Sequence, residues 1–112
     1  MTNKQKDDLS NNILTVDILI ESLVTVEKEI SKCAYNRKKY QHADSNSYGS
    51  WTAELKENMQ IRTYIINTLI QDFDMNENVI KGTVSSIDKR TIPYKCVLEI
   101  VKLIKSKNFT VN

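Results

Sequence analysis

Two stretches of this sequence carry apolar side chains at the same alternating steps of four and three, and each stripe is interrupted by one charge. In the first, Val16, Ile20, Leu23, Ile30 and Ala34 leave a gap that Glu27 fills; in the second, Leu55, Met59, Ile66, Leu69 and Phe73 leave a gap filled by Arg62. This spacing places each set on one face of a helix. If the chain reverses around Asp44 and Ser45, equal rise on both helices pairs residues whose numbers sum to about 89. The layers are then Val16 with Phe73, Ile20 with Leu69, Leu23 with Ile66, Glu27 with Arg62, Ile30 with Met59, and Ala34 with Leu55. The pattern predicts a long antiparallel helical hairpin. Glu27 and Arg62 are expected to form a structural ion pair that sets its register, since a slip would leave each charge among apolar side chains without a partner. The same two residues, facing a cleft, are the alternative reading: a contact for a ligand or another protein.

The rest of the chain fits around this hairpin. Two glycines and one proline in 112 residues suit long helices. The expected fold class is all-α: a small helical bundle built on the hairpin, with one or two shorter C-terminal helices. The length fits a single helical domain, 1–112, with a polar lead at 1–8 and a flexible tail at 107–112. The first helix is expected to begin near Leu9, capped by Asp7, Asp8 or Ser10, and the second to follow Ser50 after a polar loop at 42–50. Trp51 is placed to pack on Tyr40 or Tyr35. Residues 79–87 read as a short helix capped by Asn76, or as two short strands turning at Lys81-Gly82. Pro93 marks the start of a last helix, capped by Thr91 or its neighbour, with Val97, Ile100, Val101 and Ile104 inward.

Between Ile13 and Val26 the apolar positions span about half the helix circumference at about 100° per residue, wider than one partner helix covers. A third element or a second copy of the chain must cover the excess. Self-association, as a two-fold homodimer, is therefore one expectation.

Charge is unevenly placed. Residues 32–42 hold four bases and no acid and residues 79–112 hold seven bases and two acids, while 1–31 and 43–78 are acidic. Cys33 and Cys96 lie within helical patterns without metal-ligand spacing, which suits core thiols in a reducing cytoplasm. The longest apolar run falls far short of the roughly 20 residues of a membrane span, and the start of the sequence lacks a signal-peptide pattern. The expected location is cytoplasmic, without membrane contact, metal or small-molecule cofactor.

Nothing in the sequence forms a nucleophile, paired-carboxylate or phosphate-loop constellation, so no catalytic residues are assigned. Arg37-Lys38-Lys39-Tyr40-Gln41-His42 resembles the RNase motif of HEPN domains. The resemblance implies RNA cleavage at a dimer interface, with Arg37 stabilising phosphate charge and His42 transferring protons. The apolar residues usually interleaved in that motif are absent, and it falls at the end of the first long helix rather than late in the domain. Thr83–Ile104 is similar to the recognition helix and following helix of repressor-type helix-turn-helix domains, which implies Ser85 and Ser86 facing DNA. More generally, Lys32, Arg37, Lys38, Lys39, Tyr40, His42, Lys89 and Arg90 are the candidate binding residues for a partner or nucleic acid. The leading expectation is a non-catalytic helical module, of adaptor or inhibitor type, acting through a protein partner or by oligomerisation. A nucleic-acid-binding regulator using 32–42 and 79–107 is the alternative, and the HEPN-like RNase the third.

Overall fold

The computed structural model describes residues 1–87 and 91–112. Lys89 and Arg90, two of the candidate binding residues, lie outside the described residues. In chain order the elements are α1 (Asn3–Ser10), β1 (Ile13–Leu14), α2 (Val16–Lys39), α3 (Ser45–Phe73), α4 (Glu77–Ser86), α5 (Tyr94–Ser106) and β2 (Thr110–Val111). The fold is an all-α bundle built on the α2–α3 hairpin. Among the described residues no helix is long and apolar enough to cross a membrane.

The hairpin is antiparallel in the register that the sequence pattern gives. Arg62 Nε donates to Glu27 Oε1 at 2.5 Å, and ten residues further along α2, Arg37 Nε donates to Thr52 Oγ1 at 3.0 Å. Both pairs sum to 89. Leu23 and Ile66 line one groove, and Ile20 and Leu69 are fully buried in one core. The stripe on α3 is nevertheless rotated from the expected one. Its buried residues are Asn58, Ile61, Ile65, Thr68 and Leu69, whereas Met59 is 54% exposed and Ala34 on α2 is exposed. The cause is α5, which packs on both α2 and α3 and draws Ile61 and Ile65 inward.

The centre of the molecule is the N-terminal half of α2. All nine residues from Ile18 to Val26 are buried, so this helix segment is enclosed on every side. The wide apolar face that called for a third element or a second copy is covered within the chain by α3, α4 and α5. Enclosure also buries polar groups, and each finds a partner. Ser22 Oγ donates to Ile18 O at 2.7 Å, and Gln5 Nε2 donates to Glu21 Oε2. Thr25 Oγ1 donates to Ile92 O at 2.5 Å and accepts from Ile92 N at 3.1 Å, tying the approach to α5 onto α2.

Several boundaries differ from the expectation. Residues 1–8 are not a loose lead: Thr2 accepts from Gln5 N while Gln5 Oε1 accepts from Thr2 N, a reciprocal cap that starts α1. The first long helix starts not near Leu9 but after Thr15, which accepts from Ile18 N; Asn12, at φ 57°, turns the chain between α1 and β1. Asp44 rather than Ser50 caps α3, accepting from Asn46 N and Ser47 N, so residues 45–50 are helical. Pro93 occupies the cap position of α5 without a side-chain bond, and Thr91 does not cap it. The tail is not free either. Lys107, at φ 56°, reverses the chain, and β2 pairs in parallel with β1, Thr110 N donating to Asn12 O at 2.8 Å and Asn112 N to Leu14 O at 3.2 Å. Residues 79–87 belong mainly to a helix, with Asn76 Oδ1 accepting from Val79 N, so the strand alternative falls away.

The Thr25–Ile92 clasp gives a test of what encloses α2. Thr25→Val keeps the shape but leaves the buried amide and carbonyl of Ile92 without side-chain partners. It is expected to lower unfolding free energy in urea by about 2 kcal/mol, and Thr25→Ser by much less.

Candidate functional site

Beyond Val26 the surroundings of α2 change. Between there and its C-terminus only Cys33 is fully buried, and on α3 no residue before Asn58 is. A polar cluster marks this neck. Tyr94 Oη, at the start of α5, donates to Asn58 Oδ1 at 2.9 Å, Asn58 Nδ2 donates to Glu54 O at 2.9 Å, and the Cys33 thiol lies 3.9 Å from Glu54 Oε2. From the neck to the turn at 40–44 the two long helices run on as an arm, the long dimension of a molecule measuring 47 × 27 × 25 Å.

On the body side of the neck, α4 leans across the hairpin and leaves an open groove of about 590 Å³. Leu23, Ile66, Ile80 and Val84 give it an apolar floor; Glu27, Arg62, Glu77, Lys81 and Ser85 complete its lining. The α4 residues follow the one-turn spacing of a helix, so Glu77, Ile80, Lys81, Val84 and Ser85 share one face. The volume is that of a ligand-sized or side-chain-sized cleft. Glu27 and Arg62 pair, as the structural reading expects, and they also line this groove. Their side chains are 44% and 40% exposed, so the pair sits at a wet edge rather than in the core.

Of the expected binding residues, the six that are described, Lys32, Arg37, Lys38, Lys39, Tyr40 and His42, lie at the other end, on the arm. Arg37 is committed to the hairpin: besides Thr52, its Nη2 donates to Tyr48 Oη at 2.8 Å, and its guanidinium lies 5.0 Å from the Tyr48 ring centre. His42 is exposed on the turn, and no hydrogen bond links it to Arg37. Lys32 Nζ lies 5.8 Å from the ring centre of half-buried Trp51, and Lys39 Nζ 5.5 Å from that of Tyr40. Trp51 thus stacks under a lysine, while Tyr35 stands 69% exposed. Lys38 is exposed.

Among the described residues, the bases of α5 do not join those of the arm in one patch. Tyr94 meets Asn58, whereas Ile104, Lys105 and Lys107 share a cleft with Tyr64, Asn67, Thr68 and Gln71, so α5 runs beside α3 toward the end opposite the arm's tip. Ser85 and Ser86, expected to face DNA in the helix-turn-helix reading, end α4: Ser85 lines the groove and Ser86 Oγ bonds Thr83 O at 2.9 Å. Sequence reasoning did not single out Lys81, Ile80 or Val84 as site residues. The four-residue step from Ile80 to Val84 was visible, but not what α4 packs against. No family model, no curated protein and no solved structure matches this chain.

Two measurements follow from this geometry. A wet-edge ion pair couples weakly, so a double-mutant cycle with Glu27→Ala and Arg62→Ala is expected to give a coupling of about 0.5 kcal/mol, not the several kcal/mol of a buried pair. The neck should sense alkali. Burial first, then the Glu54 and Glu29 carboxylates, push the Cys33 thiol above its ordinary 9.0; burial, then Glu57, push the Tyr94 phenol above its ordinary 10.0. Folding favours the protonated form of both. Their contribution is complete below those ordinary values and is lost as pH rises through the higher folded ones. Stability above pH 9.0 should therefore fall more steeply in the native protein than in Cys33→Ala/Tyr94→Phe.

Proposed function

We propose that this chain is a small, non-catalytic helical module that works by docking a protein partner in the groove between α2, α3 and α4. The observation that supports this reading is the lining of the groove. An apolar floor of Leu23, Ile66, Ile80 and Val84 lies among charges of both signs, the arrangement of a protein interface, with its apolar centre and polar rim. The fitting occupant is an amphipathic helix or extended segment that presents bulky apolar side chains to the floor and one charge of each sign to the rim. Lys81 is exposed and one helical turn from Glu77, so both can swing to meet such charges. Self-association remains a form of this reading in which the docked segment comes from another copy.

Photo-crosslinking in cells separates this reading from a mere surface irregularity. A photoreactive residue at position 81 or 84 is expected to capture a discrete protein, or a second copy of the chain. The same residue at Val79, which is exposed but does not line the groove, should capture none. Val84→Glu is expected to abolish the capture from position 81 while leaving the helical circular dichroism unchanged. Equal capture from positions 79 and 81, or none from either, would sink the proposal.

A further inference from the structure

The arm carries a second surface of different chemistry. Setting Lys28 at zero on the α2 wheel, Lys32, Tyr35 and Lys39 fall within a sector of about 60°, on the side away from the seam with α3, and they extend over about 16 Å of helix. All four are exposed. One and two turns earlier, Glu21 falls within this sector, and Val24 and Thr25 fall just outside its two edges; all three are buried, Glu21 against Gln5 and Thr25 against Ile92. Among the described residues the helix therefore leaves its cover at Lys28 and continues as an exposed basic stripe. Residues 28–51 hold five basic and two acidic side chains, and one of the acids, Asp44, is taken up in capping α3. Among the described residues the ion pairs are Lys4–Asp8 and Glu27–Arg62, so none of these lysines is neutralised.

The arm also holds an excess of aromatic residues that do not serve the core. Tyr35, Tyr40, Tyr48 and Trp51 make up four of the eight aromatics in the chain, and none belongs to the hydrophobic core or packs against it. Two of them already lie beneath lysine ammonium groups, and Tyr35 stands bare between Lys32 and Lys39.

We propose that this stripe binds single-stranded nucleic acid, with Lys28, Lys32 and Lys39 on successive phosphates and Tyr35 as a stacking platform for an unpaired base. A protein partner fits poorly here, because protein interfaces need an apolar centre and are depleted in lysine; this stripe has one aromatic among its lysines. A duplex would leave Tyr35 idle, since its bases are already stacked. Lysines along a track with an exposed aromatic between them are the combination that single strands use, the charge holding the backbone and the ring accepting any base. The α5 lysines take no part: that helix starts at the neck with Tyr94 and runs from there toward the end opposite the arm's tip. This surface is distinct from the groove and does not depend on it.

The test is fluorescence anisotropy of the full chain with a labelled oligothymidylate of roughly 12 nucleotides, beside the matching duplex. Binding is expected to weaken between about 50 and 200 mM salt with a log–log slope of about −2, the value for three phosphate contacts on a single strand. Lys28→Ala/Lys32→Ala/Lys39→Ala should lose about tenfold or more in affinity. The matched control, Lys95→Ala/Lys102→Ala/Lys105→Ala, should stay within about twofold, because the stripe keeps its electrostatic contacts. Tyr35→Ala should lose about fivefold or more on the oligothymidylate and nothing on the duplex. All substituted positions are exposed; Lys32, Lys39 and Lys105 lie over the rings of Trp51, Tyr40 and Tyr64, and circular dichroism verifies that each variant is folded. The proposal is overturned by absence of binding at about 50 mM salt, by equal losses in the two triple variants, or by indifference to Tyr35→Ala. Tighter binding to polyglutamate than to the oligonucleotide also overturns it and would mark the stripe as a protein contact.

Discussion

The enclosure of one helix segment governs the rest of this molecule. A helix buried on one face needs a single neighbour, but residues 18–26 of α2 are buried all round, and that requires neighbours on every side. Apolar positions alone cannot supply this condition, because a helix with Glu21, Ser22 and Thr25 on its wheel brings polar atoms inside. Each must be bonded or the segment would lose about 1–3 kcal/mol per orphaned group. The solutions define the tertiary structure. Gln5 carries α1 onto Glu21, Thr25 grips both backbone groups of Ile92, and Ser22 turns back on its own helix. The chain ends are drawn in by the same centre, β1 and β2 pairing beside buried Leu14, with Phe109 packed against the core.

What lies beyond Val26 follows from where that enclosure stops. The same α2 wheel continues, yet among the described residues α1 and residues 91–93 do not reach past the neck at Cys33, Asn58 and Tyr94. A sector that must be apolar or bonded at Glu21 and Thr25 is thus free to be charged at Lys28 and Lys32. The hairpin arm holds together with little buried apolar area, and the Arg37 bonds to Thr52 and Tyr48 contribute where the core cannot. Arg37 thus serves in this chain as a strut between the two helices.

The parts of the fold that were legible are those in which the signal is periodic and strong. The hairpin register could be read because a reversal around Asp44 and Ser45 pairs the two stripes position for position, and the one charge on each then falls opposite the other. The site was half legible for the same reason: the cleft reading of Glu27 and Arg62 came from that pattern, and α4 supplied the facing wall from Ile80, Lys81 and Val84. Local signals were weaker guides. Thr2-x-x-Gln5 is a capping box in plain view, but a box gains weight only when a run of apolar residues follows, and α1 has almost none. Asp44 and Ser50 are equally good caps in isolation, and only the continuation of α2's partner helix decides between them. The parallel pairing of residues 13–14 with 110–111 joins positions nearly the whole chain apart, and no local pattern encodes it. The rotated stripe on α3 has a similar origin: a helix touched from two sides has two seams, and the sequence shows their sum.

The separation of charge and apolar surface between arm and groove follows from this geometry rather than from composition. The net charge of +2 averages an acidic hairpin body against basic ends. Where α4 covers the hairpin, desolvation penalises unpaired charge, so the floor is Leu, Ile and Val and the one ion pair stays at the wet margin. Where nothing covers it, lysine carries no such penalty and its long stem can lie along an aromatic ring with the ammonium in water. The placement of Lys32 over Trp51 and of Lys39 over Tyr40 fits that solvation pattern. Desolvation therefore sorts the surface into two kinds of contact, an apolar cleft at the body and a cationic, aromatic track on the arm, and the boundary between them is the layer of Glu27 and Arg62, where the enclosed half of α2 ends.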